Sequence, residues 1–114
     1  MILMNILLVN FVKDKLNELD EYLNAQGYEV YSAENDLEAV QILNNTHINE
    51  VVVHLTKIMN IGLINYMNHH FSDLRVVLVT NNYVEQAISI IKHTDCEIIH
   101  EPFTLSTFRQ TLEN

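Results

Sequence analysis

The strongest constraint on the fold of this chain is the run of three valines from Val51 to Val53, which leads into His54. Consecutive β-branched residues between polar neighbours are typical of a short strand that is buried on both faces. Such strands belong to parallel sheets covered by helices, where ligands gather at the carboxyl ends of the strands. Because His54 lies at that end, we expect the functional site of the protein to include it.

Strands and helices are predicted to alternate along the whole chain. Strands are predicted at 4–9, 28–33, 51–54, 75–80 and 97–100, and helices at about 12–26, 37–44, 61–70 and 83–93, with a last helix capped by Thr104. Regular β-α alternation implies a parallel sheet with right-handed crossovers. The predicted fold class is therefore α/β, a doubly wound three-layer α/β/α sandwich with 28–33 as an edge strand.

Several helix boundaries have local signals. Gly27 stands where a glycine would end the first helix, and Asn35 or Asp36 can cap the second. The spacing of apolar residues in the first helix predicts one buried stripe of Val12, Leu16, Leu19 and Leu23.

Composition limits the classes of protein that this chain resembles. Its 114 residues predict one domain, 1–114, and the net charge of −9 argues against direct binding of nucleic acid. The single cysteine, Cys96, suits a reducing, cytoplasmic setting. The apolar segment 1–9 lacks the basic start of a signal peptide, and no apolar run reaches the roughly 18–20 residues of a membrane span.

Taken in chain order, the predicted segments resemble a response-regulator receiver domain of two-component signalling over essentially all 114 residues. The matching segments are Ile6-Leu7-Leu8-Val9, Gly27-Tyr28-Glu29-Val30, the strand ending at His54 with Gly62 eight residues later, Val76-Val77-Leu78-Val79-Thr80, and Glu101-Pro102-Phe103. The resemblance implies a flavodoxin-like, five-stranded sheet of order 2-1-3-4-5.

Four of the five pocket positions depart from the family pattern. Receivers carry an acidic pair that binds Mg²⁺ after strand one, where this chain has Asn10 and Phe11. They carry a phospho-accepting Asp where this chain has His54, and a Lys where it has Glu101, whereas Thr80 keeps the expected Ser or Thr. The chain therefore resembles a degenerate pseudo-receiver.

These departures remove the groups that phosphoryl transfer requires. Mg²⁺ needs hard oxygen ligands, but Asn10 offers only a neutral amide and Phe11 offers none. The carboxylate nucleophile is absent, and Glu101 would repel phosphoryl oxygens. We expect no enzymatic activity and no cofactor. His54 could accept phosphate itself, bind zinc, or be held by a hydrogen bond, and the last of these is favoured because no metal-ligand spacing accompanies it.

The expected function is phosphorylation-independent signalling through protein–protein contacts, as a regulatory or dimerisation domain, with a protein partner or a second copy of the chain. In receivers the response is read on the face of the fourth helix, fifth strand and last helix, which here includes Tyr83, Ile90, Lys92, Glu97 and Arg109. The alternative is a small-molecule or ion sensor at the strand ends. A flavodoxin-like cofactor carrier is disfavoured because the first loop lacks a Ser/Thr/Gly cluster.

One contact is predicted by the exchanged residues themselves. In receivers an Asp and a Lys face each other at the ends of strands three and five, and here the same positions hold His54 and Glu101. We expect these two side chains to form a direct hydrogen bond that replaces the lost pair and holds the loop before Pro102.

Overall fold

The computed structural model describes residues 4–55, 61–81 and 96–113. Its centre is a parallel five-stranded sheet of order β2-β1-β3-β4-β5, as the resemblance implies. The strands are β1 (Met4–Val9), β2 (Tyr28–Ala33), β3 (Glu50–His54), β4 (Arg75–Thr80) and β5 (Cys96–His100). The sheet order confirms that β2 and β5 are its edges.

Four helices are described, and each lies where the sequence predicts one. They are α1 (Lys13–Ala25), α2 (Asp36–Asn45), α3 (Ile61–His70) and α4 (Leu105–Glu113). The further helix predicted over 83–93 lies outside the described residues. None of the described helices has the length and apolar character needed to span a bilayer.

The core is divided by the sheet into two layers. Val51 and Val53 pack on the layer that includes α2 and α3, whereas Val52 packs on the layer that includes α1 and α4. This division follows from the strand geometry, because successive side chains point to opposite faces. All three valines are fully buried, which confirms a strand covered on both sides.

Local signals set the helix ends as expected. The Asn35 side chain accepts a hydrogen bond from the backbone N–H of Glu38 at 2.9 Å, so Asn35 rather than Asp36 caps α2. Gly27 has a φ of 91°, a left-handed conformation that glycine adopts without strain. The Thr104 hydroxyl accepts from the N–H of Thr107 at 3.1 Å at the start of α4.

The predicted stripe of α1 was wrong at its first residue. Leu19 and Leu23 are buried, but Val12 is 66% exposed. The helix begins at Lys13, and Val12 is the N-cap residue with an extended backbone (φ −67°, ψ 152°). A residue outside the helical turn does not follow the helical period, so its side chain leaves the stripe.

Candidate functional site

The loop after β1 is fastened to the ends of two neighbouring strands. Asn10 has a φ of 70°, a left-handed conformation that asparagine tolerates better than most residues. Its backbone N–H donates to the carbonyl oxygen of Ala33 at 2.9 Å, and its side-chain Nδ2 donates to that of His54 at 3.0 Å. The amide of Asn10 thus serves as a structural donor between β1 and β3.

His54 is held from two sides. The Phe11 ring stacks on the imidazole with 5.1 Å between centroids and 9° between planes. Nε2 of His54 lies 2.9 Å from Oε1 of Glu101, which confirms the predicted hydrogen bond. The His54 side chain is only 13% exposed, and its buried Nδ1 has no hydrogen-bond partner among the described residues.

Glu101 and Thr80 complete the group. The backbone N–H of Glu101 donates to the carbonyl oxygen of Thr80 at 2.8 Å, so the loop after β5 is tied to the end of β4. Thr80 is fully buried, and its hydroxyl donates to the carbonyl oxygen of Asn81 at 3.3 Å. Asn10, Phe11, His54, Thr80 and Glu101 therefore form one contiguous group at the carboxyl edge of the sheet.

The chemistry available to this group is narrow. Its one carboxylate, Glu101, is engaged with His54, and the aromatic face of Phe11 covers the imidazole. A hard cation such as Mg²⁺ needs several oxygen ligands with space for water. Within the described residues, no group of three or more His, Cys, Asp or Glu side chains could hold a metal ion. The arrangement joins the ends of β1, β3 and β5.

The predicted interaction face is only partly described, because Tyr83, Ile90 and Lys92 lie outside the described residues. Glu97, on β5, forms an ion pair with Arg75 in which Oε1 and the guanidinium nitrogen are 2.6 Å apart. Arg109, on α4, pairs with Glu113 at 2.8 Å. Both side chains are about half exposed, with 45% for Glu97 and 48% for Arg109, so each remains accessible to a partner.

A buried ionisable side chain, that of Glu50, lies at the opposite edge of the sheet and was not predicted from the sequence. Glu50, the first residue of β3, is only 3% exposed, and its Oε2 has no hydrogen-bond partner among the residues described. Burial raises the pKa of the Glu50 carboxyl above its ordinary value, while the Arg75 charge lowers it and the Glu97 charge raises it further. The ionised form of Glu50 is therefore costly in the folded protein.

Arg75 connects this edge of the sheet to the end of the last helix. Its guanidinium donates hydrogen bonds to the carbonyl oxygens of Thr111 and Leu112, which lie in the last turn of α4. Carbonyls at a helix C-terminus lack helical partners and carry partial negative charge, so a cation binds them favourably. Arg75 thus positions the C-terminal end of α4 against the sheet.

The sequence did contain a signal for this cluster. Glu50 precedes three valines in β3, and Arg75 precedes Val-Val-Leu-Val in β4. The two strands pair in parallel with Glu50 opposite Arg75. Opposite charges at the same position of two similar apolar runs indicate neighbouring strands in that register.

Comparison with known proteins identifies the fold. No protein-family model matches this chain, and no curated protein matches it either. The structure does match a response regulator receiver domain from Clostridium thermocellum, with a TM-score of 0.86 and 19% identity over 98% of this chain and 93% of that one. The fold is that of a receiver domain. Further response-regulator and signal-receiver-domain structures share it.

Two other matches show the receiver fold in different contexts. NtrX from Brucella abortus, solved with ADP, matches with a TM-score of 0.85 and 20% identity over 98% of this chain. The chain spans only 26% of the length of that NtrX chain. A protein from Rhodopirellula baltica named adenylate cyclase matches with a TM-score of 0.84 and 17% identity, over 98% of this chain and 86% of that one. At these identities the likeness concerns the fold alone.

Proposed function

We propose that residues 1–114 form a pseudo-receiver domain that transmits signals through protein–protein contacts and is not phosphorylated at the strand ends. The observation that carries this proposal is the pair of His54 and Glu101 at 2.9 Å, with Phe11 stacked on the imidazole. The resemblance implies a phosphoryl acceptor at position 54, a basic residue at position 101 and a metal ligand at position 11. In this chain the side chains at these three positions contact one another instead.

The site is occupied by its own side chains in a way that opposes phosphorylation. A phosphoryl group at position 54 would bring negative charge next to the Glu101 carboxylate, and like charges at contact distance repel. The stacked ring of Phe11 supplies neither charge nor an oxygen ligand to offset that repulsion. Binding a phosphate at this edge would therefore require the loops after β1 and β5 to rearrange.

The same contacts support a fixed conformation of the predicted interaction face. A receiver that responds to a signal needs two states that a ligand favours to different degrees. In this chain the side chain of Glu101 bonds to β3, and its backbone bonds to the end of β4. We propose that a protein partner or a second copy reads this fixed face, which includes Glu97 and Arg109. A reducing, cytoplasmic location agrees with the single cysteine.

Exposure to small phosphoryl donors tests the proposal. The protein is incubated with acetyl phosphate and Mg²⁺, or with beryllofluoride and Mg²⁺, and followed by intact mass and by amide NMR spectra. We expect no phosphoryl adduct and no Mg²⁺-dependent shifts at His54 or Thr80, because the metal ligands and the carboxylate nucleophile are replaced. A mass increase of one phosphoryl group on the natural chain would overturn the proposal.

A restored variant serves as the positive control. It carries Phe11→Asp, His54→Asp and Glu101→Lys, which bring back a metal ligand, the acceptor and the basic partner that the resemblance expects. Beryllofluoride and Mg²⁺ should shift amide signals near position 54 in the restored variant and leave the natural chain unchanged. Equal responses in both proteins would show that these positions do not decide phosphorylation.

A sensor for a small molecule or ion at the strand ends is the second candidate. It is favoured by the buried Nδ1 of His54, which lacks a partner among the described residues. A thermal-shift screen with metabolites and divalent ions tests it. Stabilisation that is lost in His54→Ala and retained in a surface variant such as Arg109→Ala would support a sensor at this site.

A further inference from the structure

A cavity of about 430 Å³ opens at the amino ends of β3 and β4, on the opposite edge of the sheet from His54. Two turns line it, one between α2 and β3 and the other between α3 and β4. The volume lies within the range of about 300–1,000 Å³ that is usual for small-molecule sites. The proposed function assigns no role to this edge of the molecule.

The base of the cavity is apolar. Leu43 and Ile48 contribute to its lining and are buried, while Phe71 and Leu74 are half-buried and also line it. An apolar base with an aromatic ring can cover the hydrocarbon part of a ligand and exclude water from it.

The wall formed by the turn before β3 is held in place by β1. Nδ2 of Asn5 donates to the carbonyl oxygen of His47 at 2.7 Å, and the backbone N–H of Asn5 donates to Oδ1 of Asn49 at 2.8 Å. These contacts fix both residues from outside the cavity. A wall that is already ordered loses little conformational entropy when a ligand binds.

The helices beside the cavity are also joined to each other. The hydroxyl of Tyr66, on α3, donates to Oδ1 of Asn44, on α2, at 3.3 Å. The Tyr66 ring lies 4.5 Å from that of His70, a lining residue. The C-terminal ends of α2 and α3 are therefore held close together beside the cavity.

With its two histidines, His47 and His70, counted as neutral, the lining of the cavity has a net negative charge. Both α2 and α3 end beside it, and a helix C-terminus carries partial negative charge from its free carbonyl groups. The last turn of α2 has no basic residue, whereas the last turn of α3 has His69 and His70. Asp73 adds a carboxylate to the lining, which includes neither Lys nor Arg. This environment favours a cation with hydrogen-bond donors and disfavours an anion.

We propose that this cavity binds a small organic cation, a primary amine with an apolar body. The ammonium group pairs with the Asp73 carboxylate and with carbonyls at the end of α2, and the apolar body lies on Phe71, Leu74 and Ile48. The binding site is separate from the His54–Glu101 pair, so it does not depend on whether the domain is phosphorylated.

The probe for this site is tyramine, an aromatic primary amine, titrated into the labelled protein and followed by amide NMR. We expect saturable shifts at Asn49, Ser72 and Asp73. Two matched compounds test the role of charge: neutral 4-ethylphenol and anionic 3-(4-hydroxyphenyl)propionate. Each should bind about three- to fivefold more weakly, which corresponds to a partly exposed ion pair.

Two variants locate the charge that binds the amine. Asp73→Asn should weaken tyramine binding about three- to fivefold, because the carboxylate loses its charge. Asp14→Asn makes the same change on α1, in the other helical layer, and should leave the affinity unchanged. Both aspartates are exposed, so both variants should fold, which the amide spectra verify.

The proposal is overturned by any of three results. The first is equal affinity for tyramine and for either matched compound. The second is tyramine shifts confined to the acidic surface of α1. The third is an unchanged affinity in Asp73→Asn. The phosphoryl-donor experiment is read at His54 and Thr80, so failure of one proposal leaves the other to be judged on its own data.

Discussion

The hydrogen bond between His54 and Glu101 should contribute measurably to the stability of the fold. Its atoms are 2.9 Å apart, with the His54 side chain 13% exposed and that of Glu101 35% exposed. Buried hydrogen bonds to charged groups contribute about 1.5–3 kcal/mol, whereas exposed ion pairs contribute about 0.2–1 kcal/mol. Because this pair is intermediate, we expect a coupling free energy of about 1 kcal/mol.

A double-mutant cycle measures that coupling. The natural chain, His54→Ala, Glu101→Ala and the double variant are unfolded with urea, and the free energies of unfolding are compared. His54→Ala should cost more than Glu101→Ala, because it also removes the ring that stacks on Phe11. An aromatic contact of this kind contributes about 0.5–1.5 kcal/mol.

The control cycle combines His54→Ala with Glu97→Ala. Glu97 lies on β5, the strand that ends just before Glu101, but its carboxylate contacts Arg75. The control pair should be additive within about 0.3–0.5 kcal/mol. If the cycle of His54 and Glu101 is equally additive, the hydrogen bond between the two side chains does not stabilise the strand ends, which would contradict the expected coupling.

Three other predictions concern stability. Burial raises the pKa of Glu50, so this residue adds stability as pH falls through its folded-state pKa and adds none above it. Urea unfolding between about pH 4 and 7 should show that Glu50→Gln raises stability near neutrality and flattens the pH dependence; an unchanged pH profile would contradict this. Arg75→Met should cost about 1–3 kcal/mol and speed hydrogen exchange in α4, since two carbonyls lose their donor. Both Asn35→Ala and Asn35→Gly remove the cap bond to Glu38. In urea unfolding, the alanine variant should lower the free energy of unfolding by about 0.5–2 kcal/mol and the glycine variant by only a few tenths, because glycine is tolerated at the N-cap position.

Local sequence patterns were enough to predict the layers of the fold and several of its boundaries. The valines of β3 predicted a strand covered on both faces, and all three are fully buried. Gly27, Asn35 and Thr104 marked helix ends correctly. These features depend on neighbouring residues in the chain, so local patterns and turn chemistry are sufficient to predict them.

The strand-end site was predicted in part. The hydrogen bond between His54 and Glu101 followed from the resemblance, because the order of strands in that fold places their ends together. The stacking of Phe11 on His54 did not follow from the resemblance. The replacement of a metal ligand by phenylalanine does not indicate which side chain the phenylalanine ring packs on. Val12 was placed in the stripe of α1 because the period was extended one residue before the helix begins.

The burial of Glu50 and the role of Arg75 depend on contacts between distant parts of the chain. Glu50 is buried at the start of the central strand β3, where its side chain points to the same face of the sheet as Val52. Arg75 reaches carbonyls of α4 more than thirty positions later in the chain. The charges of Glu50 and Arg75 indicate the register of β3 and β4. The position of the end of α4 depends on how that distant helix packs on the sheet, and no local pattern in the sequence records it.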